Sequence, residues 1–387
     1  MIKQLKPNLM RILFSFLVFI TMAYGKVQGD PVALSLPRLE SLIHQSMEKK
    51  KVPGMAVAVV SKGKIIYMRP FGVRVVGQQA PIDQKTLFQV GSLSKAISST
   101  LIAILNQEQK ISLDHPVTVI PGATLRHVLS HTTGIPSAGF NALIERGDHP
   151  LEVQKKIQGI VPDGEPGEKF AYHNAVYNLL KDVLENNIGI SFESLLQKKL
   201  LQPLHMVSTS STWEAFISQE NRVAAHILKK TKGKKGKIIK IAAQKVPYRK
   251  DYTNFPAAGG MSSNIHDMAL FLAAIMGARP DVISPQDLEE FTRPLIHTPD
   301  QWHRTHKHRD RITETHYGLG WRHITFAGHP VLFHGGMLRG FCQMVAFLPE
   351  QQVGIIVLQN AESSLAFQLS MQFFDWVLGL PSKKWID

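Results

Sequence analysis

The chain has 387 residues, 44% of them hydrophobic, enough for one large core or two modest ones and too apolar for wholesale disorder. The formal charge is +14, but no recognition motif accompanies it, so nucleic acid is not an expected partner. The single cysteine, Cys342, excludes an intramolecular disulfide, and its setting FCQMVAFL reads as a strand holding a structural thiol rather than a nucleophile.

At the start, Lys3, Lys6 and Arg11 precede an apolar run from Ile12 to Tyr24, and Ala23 and Gly25 put small residues before a cut ahead of Lys26. This is the layout of a secretory signal peptide. Residues 1–25 are therefore expected to be removed, leaving a mature chain 26–387 of charge +11 in the periplasm or outside the cell. No cysteine near the cut supports a lipid anchor, and no second stretch of about 18 apolar residues follows.

Gly54–Val60 and Lys64–Arg69 are strand-like runs joined by Ser61-Lys62-Gly63, a hairpin signal. Thr86–Val90 is another short apolar run. At Ser92 the period changes: Leu93, Ala96, Ile97, Leu101, Ile104 and Leu105 recur at helical spacing. Residues from about 106 to 250 read as mainly helical, broken by Pro- and Gly-rich loops. Strands return at Val331–Phe333, Phe341–Leu348 and Val353–Gln359, and an apolar helix from Ser364 to Leu378 closes the chain. This order predicts an α+β fold in one domain. An antiparallel sheet from about 30–105 and 255–387 would be flanked by helices and interrupted by a helical insertion over about 106–254.

Two charged segments need a reading. KKTKGKKGKIIK, residues 229–240, reads as a solvated loop or hairpin tip, the alternative being weak attraction to an anionic envelope surface. His297, His303, His306, His308 and His316 crowd another stretch, but Arg304, Lys307, Arg309 and Arg311 oppose a cation, so no metal is expected there. No cofactor is expected either, and the protein is read as a monomer.

The chain lacks G-x-S-x-G, H-E-x-x-H and a P-loop. It does have Ser92-Leu93-Ser94-Lys95. A serine at the first turn of a helix and a lysine three residues on share a face, so the amine can act on an otherwise weak nucleophile. The same spacing recurs at Ser46…Lys49 and Ser61…Lys64, but only Ser92 follows a strand and opens an apolar helix. Tyr172-His173-Asn174 supplies a phenol that a neighbouring lysine could turn into a base, and an amide that can both donate and accept. His334-Gly335-Gly336, at a strand end, leaves room for a substrate along the strand edge. Tyr252-Thr253-Asn254 and His316-Tyr317-Gly318 are decoys of the last two patterns. His131 reads as a structural hydrogen-bonding residue, and Asp267 as part of a helix start.

The order Ser-x-x-Lys, Tyr-x-Asn, His-x-Gly resembles the serine β-lactamase family, specifically its class C branch. That branch also contains D-Ala-D-Ala carboxypeptidases, D-aminopeptidases and esterases. The matching stretches are PGMAVAVV, TLFQVGSLSKAISS, TLRHVLSHTTGIPS, EPGEKFAYHNAVYNLL, PAAGGMSSNIHDMALFL, YGLGW and FHGGMLRGFCQMVAFLP, spanning nearly all of 38–380. The resemblance implies Ser92 as nucleophile, Lys95 and Tyr172 as its proton acceptors, and Asn174 as orienter of Lys95 and substrate. It also implies an oxyanion hole from the N–H groups of Ser92 and Met337. His334 departs from the Lys-Thr-Gly usual in class C, which puts efficient β-lactam hydrolysis in doubt. A histidine of ordinary pKa, about 6.5, would carry charge there only at low pH. The implied activity is serine hydrolysis of β-lactam or D-Ala-peptide-like, peptidoglycan-derived substrates. The alternatives are a carboxylesterase, a D-aminopeptidase, or a non-catalytic penicillin-binding module.

Overall fold

The computed structural model describes residues 30–137, 140–232, 238–298, 306–381 and 383–386. The signal segment 1–25, residues 233–237 of the basic segment, and His303 and Arg304 of the histidine-rich stretch lie outside the described residues.

Strand β1 (Gly54–Ser61) is apolar at nearly every position because both of its faces are covered. Met55, Val57 and Val59 enter one core, while Ala56, Ala58 and Val60 enter the other. β1 pairs antiparallel with β2 (Lys64–Gly72) across the expected turn, and with the last strand of the chain, β12 (Val353–Gln359). The terminal strands thus meet in the middle of one sheet, of order β2-β1-β12-β11-β10-β9-β8-β7. In it, β7 is Ile296–His297, β8 Ile312–Tyr317, β9 Arg322–Phe326, β10 His329–Leu338 and β11 Phe341–Leu348. Every pairing is antiparallel.

One face of the sheet is covered by helix α1 (Pro31–Lys50) and the final helix (Leu365–Val377). Asp30 caps α1 by accepting the Val32 N–H at 3.0 Å. The other face carries α2 (Leu93–Gln107), an almost wholly buried helix whose N-cap is Ser92. Further helices follow, among them α3 (Leu125–Ser130) and α4 (Asn174–Tyr177).

The segment read as helical to about 250 ends instead in a two-stranded ribbon, β4 (Ala225–Lys232) and β5 (Ile238–Val246). The hairpin-tip reading of 229–240 matches the end of this ribbon, while the strands leading to it carry no clear alternation because the ribbon pairs only with itself and no buried face forces an apolar period. Within the 255–387 part, helix Ile265–Ala273 begins where Asp267 was read as part of a helix start, and helix Pro285–Thr292 follows before the strands return. Asn264 caps the first of these, accepting the Asp267 N–H at 2.8 Å. A short pair, β3 (Phe88–Gln89) with β6 (Ser262–Ser263), fixes the approach to Ser92.

Candidate active site

Gly91 holds φ at +55°, a turn that a side chain would strain, and Ser92 then starts α2. One turn on, Lys95 is fully buried. An unpaired ammonium there would cost several kcal/mol, so its partners decide its state. Its Nζ donates to Asn174 Oδ1 and to the Ala258 carbonyl, both at 2.6 Å, and lies 3.3 Å from Ser92 Oγ. Three acceptors satisfy an ammonium. When Lys95 is neutral, the two short bonds can persist while the lone pair faces the Ser92 hydroxyl. Burial pushes the Lys95 pKa down and the Arg322 charge adds to this, whereas Tyr172 opposes it.

Four tyrosines ring this centre, and only one is shifted downward. Burial alone would raise Tyr172, but the charges of Lys95 and Arg322, with hydrogen bonding to Lys95 and Ser92, bring it below the usual phenol value. Lys95 Nζ and the Arg322 guanidinium each lie 4.8 Å from its ring centre. Burial drives Tyr177 and Tyr317 well above that value, and it raises Tyr252 to about 12. Tyr252, the decoy, stands beside Asn174 in the wall of the site. Tyr177 instead donates to the Lys95 carbonyl at 2.9 Å, holding α2 against α4. Asn174, the first residue of α4, has its own amide fixed by donating to Asn141 Oδ1 at 2.9 Å.

Behind Tyr172 lies His131, its ring centre 4.3 Å from that of Tyr172. Its Nδ1 accepts the His173 N–H at 3.2 Å, placing the proton on Nε2. Burial keeps this imidazole far below the ordinary histidine pKa. It is a neutral packing residue, as its sequence context implies.

The far wall is β10. β11 pairs with β10 as far as Leu338, whereas β9 stops at Phe333. From His334 to Leu338, one edge of β10 therefore has no strand partner among the described residues. An extended substrate can add to such an edge. A Cβ at Gly336 would sit 1.9 Å from the Val90 carbonyl oxygen, and one at Gly91 would sit 3.0 Å from Met337 N. These two glycines let β10 press directly against the backbone leading to Ser92. Gly335 has no such conflict, since its Cβ would meet nothing closer than 3.8 Å. The Met337 side chain is 72% exposed, so its contribution to this wall is its backbone.

His334 requires a correction. It is fully buried, its Nδ1–H donates to the Gly335 carbonyl at 2.9 Å, and its Nε2 accepts from Tyr317 Oη at 3.1 Å. Burial, then Arg322 and Lys95, hold its pKa well below 6.5. A mild fall in pH therefore does not charge it. A guanidinium does reach the site, that of Arg322, at the start of β9 beside β10, which the sequence reading passed over. The matching stretch YGLGW ends one residue short of it. Its signal was an arginine following a Gly-rich turn into a strand.

The other candidates stay outside. Ser46 is buried in α1, and Ser61 begins a hairpin turn. Cys342 lies on β11, with burial pushing its thiol up to about 11. His297 and His316 pair edge-on at 5.7 Å across β7 and β8. Among the described residues, no three or more His, Cys, Asp or Glu side chains gather as metal ligands.

A mixed fold around one antiparallel sheet, with a Ser–Lys–Tyr cluster between α2 and an open strand edge, is the architecture of the β-lactamase-type serine hydrolases. Residues 39–376 match the Beta-lactamase family, and the chain belongs to it. It is similar to Protein flp of Staphylococcus aureus (strain COL), 24% identical over 351 residues that cover 85% of this chain and 64% of the relative. It is also similar to Unguisins hydrolase ungD' of Aspergillus campestris (strain IBT 28561), 23% identical over 356 residues, 87% of this chain and 63% of that one. The chain thus spans just under two thirds of the length of these relatives. Among solved structures, the octameric penicillin-binding protein homologue from Pyrococcus abyssi aligns at a TM-score of 0.74 and 26% identity, covering 89% of this chain and 78% of that one. The penicillin binding protein from Bacillus halodurans shares the fold at a TM-score of 0.65 and 19% identity, covering 87% and 98%.

Proposed function

We propose that this protein is an exported serine hydrolase that cleaves amide or ester bonds of β-lactam or D-Ala-peptide-like substrates through an acyl-enzyme on Ser92. The observation that carries the reading is the buried Lys95, held by Asn174 and the Ala258 carbonyl, with Ser92 as its third neighbour and a down-shifted Tyr172 beside it.

In the first half-reaction, Ser92 Oγ attacks the carbonyl carbon and its proton passes to the Lys95–Tyr172 pair. The N–H groups of Ser92 and Met337 receive the oxyanion. Collapse breaks the bond to the leaving amine or alcohol, which takes up the proton. Water then attacks the ester on Ser92 by the reverse proton path and restores the hydroxyl. The Arg322 guanidinium favours the phenolate form of Tyr172 and so helps it accept a proton, and its planar fork suits a substrate carboxylate.

The hydrolase relative supports turnover rather than binding alone. The neutral, buried His334 favours a second reading within the same chemistry, an esterase acting on uncharged substrates. Side-by-side turnover of nitrocefin, a D-Ala-D-Ala peptide and a p-nitrophenyl ester separates the two. A clear preference for either carboxylate substrate supports the first, and activity on the ester alone rejects it for the second.

A further inference from the structure

The β4–β5 ribbon has no place in this chemistry. From Ala225 to Val246 it contains eight lysines and no acidic residue. Among its described residues, Lys229, Lys230, Lys232, Lys240 and Lys245 are exposed. Ile238 and Ile239 are exposed among them, at 45% and 66%. An isolated two-stranded ribbon is marginal in water, and repulsion between its lysines weakens it further.

The base, by contrast, is firmly held. His226 is fully buried, accepts the Val76 N–H at 3.1 Å on Nε2, and donates from Nδ1 to the Asn360 carbonyl at 2.8 Å. Its backbone N–H donates to the Gly340 carbonyl at 3.2 Å. A cavity of about 690 Å3 opens beneath the ribbon. Ile227, Leu228, Ile238 and Ile241 line it with Lys230 and Arg339, and Glu362 is its one carboxylate.

We propose that this ribbon docks the protein on an anionic lipid bilayer, with Ile239 entering the headgroup region and Lys229, Lys230, Lys232 and Lys240 facing lipid phosphates. The pairing puts aliphatic and cationic groups side by side, Ile241 opposite Lys230 and Ile238 opposite Lys232. That combination suits an interface apolar below and negative above. A second copy of the chain would bring lysine against lysine. Single-stranded nucleic acid would find no Phe, Tyr or Trp here to stack on.

The test uses the full chain in a Cys342→Ser background, with an environment-sensitive dye on Ile239→Cys and, as reference, on Val207→Cys, a position 82% exposed. Because the dye reports the ribbon itself, the apolar residues 12–24 do not mimic the result. Vesicles of phosphatidylcholine with phosphatidylglycerol should brighten and blue-shift the dye at 239 but not at 207, and pure phosphatidylcholine should do neither. Each lysine near such a surface is worth about fivefold in affinity before screening. The combined Lys229→Gln, Lys230→Gln, Lys232→Gln and Lys240→Gln variant should therefore bind at least about tenfold more weakly, and added salt should weaken the parent. A dye at 239 that is unchanged on anionic vesicles overturns the proposal, whether or not the chain sediments with them. So does an equal response to soluble polyphosphate, a response from self-association without lipid, or undiminished binding by the lysine variant.

Discussion

Gly336 passes so close to Val90 that a Cβ at 336 would lie 1.9 Å from the Val90 carbonyl oxygen. This contact sets the gap between β10 and the backbone of Ser92, and so the spacing of the two N–H groups assigned to the oxyanion. Gly336→Ala must push the strand away. It should destabilise the protein by about 1–3 kcal/mol, the usual cost of overpacking, and lower kcat/KM by at least about tenfold while the protein stays folded. Urea unfolding and steady-state kinetics on one preparation check both. Full activity in a folded Gly336→Ala protein would show that the gap is not critical.

Lys95 and Tyr172 share one proton path in this account. Lys95→Ala and Tyr172→Phe should each lower kcat by about a hundredfold or more. Together they should cost far less than the product of the single losses, because groups acting as a unit are not additive. A double-mutant cycle in kcat reads this directly, and strictly multiplicative losses would separate the two residues.

Arg322 is expected to set the pH dependence. If Tyr172 must be unprotonated to act, activity rises with pH through its pKa, which Lys95 and Arg322 hold below 10. Removing one of these charges raises that pKa, so Arg322→Ala should move the rising limb of kcat/KM to higher pH. Arg322→Lys should leave the limb near its original place. KM for carboxylate-bearing substrates should rise in Arg322→Ala more than KM for neutral esters. A limb that stays put in Arg322→Ala, with the enzyme still active, would remove Arg322 from this role.

His334 should not act as a charge switch. It is buried, with both ring nitrogens engaged, and held well below its ordinary pKa. The ratio of kcat/KM for anionic over neutral substrates should therefore stay flat as pH falls from neutral toward about 5.5. His334→Lys would bury an ammonium near Lys95 and Arg322. It should destabilise the fold by roughly 2–5 kcal/mol, seen as a lowered urea midpoint. A gain in the ratio at low pH, lost in His334→Gln, would restore the histidine to a charge-carrying role.

The legible part of the site was the part written in local sequence. Ser92 and Lys95 lie one turn apart on a helix whose apolar period starts at Leu93, and Asn174 opens a helix immediately after Tyr172-His173. The terminal strands were legible because β1 and β12 are buried on both faces and so read as unbroken apolar runs. What escaped is set by distant pairing. Arg322 reaches the site only because β9 lies against β10, with His323 opposite Leu332. The Ala258 carbonyl that anchors Lys95 is a backbone atom and has no side-chain signature. β8, with sequence ITETHY, is polar enough to pass for a loop, and of the β4–β5 ribbon the sequence signalled only a possible hairpin tip over 229–240, not the length of its two strands.

The proposed chemistry turns on a covalent bond to one oxygen, Ser92 Oγ. Intact-mass spectrometry after incubation with a slowly released β-lactam tests it most directly, with peptide mapping to place the modification. One adduct of the full inhibitor mass is expected on the peptide containing Ser92, absent from a folded Ser92→Ala protein that has also lost turnover. An adduct that persists in Ser92→Ala, or turnover that survives the substitution, would contradict it.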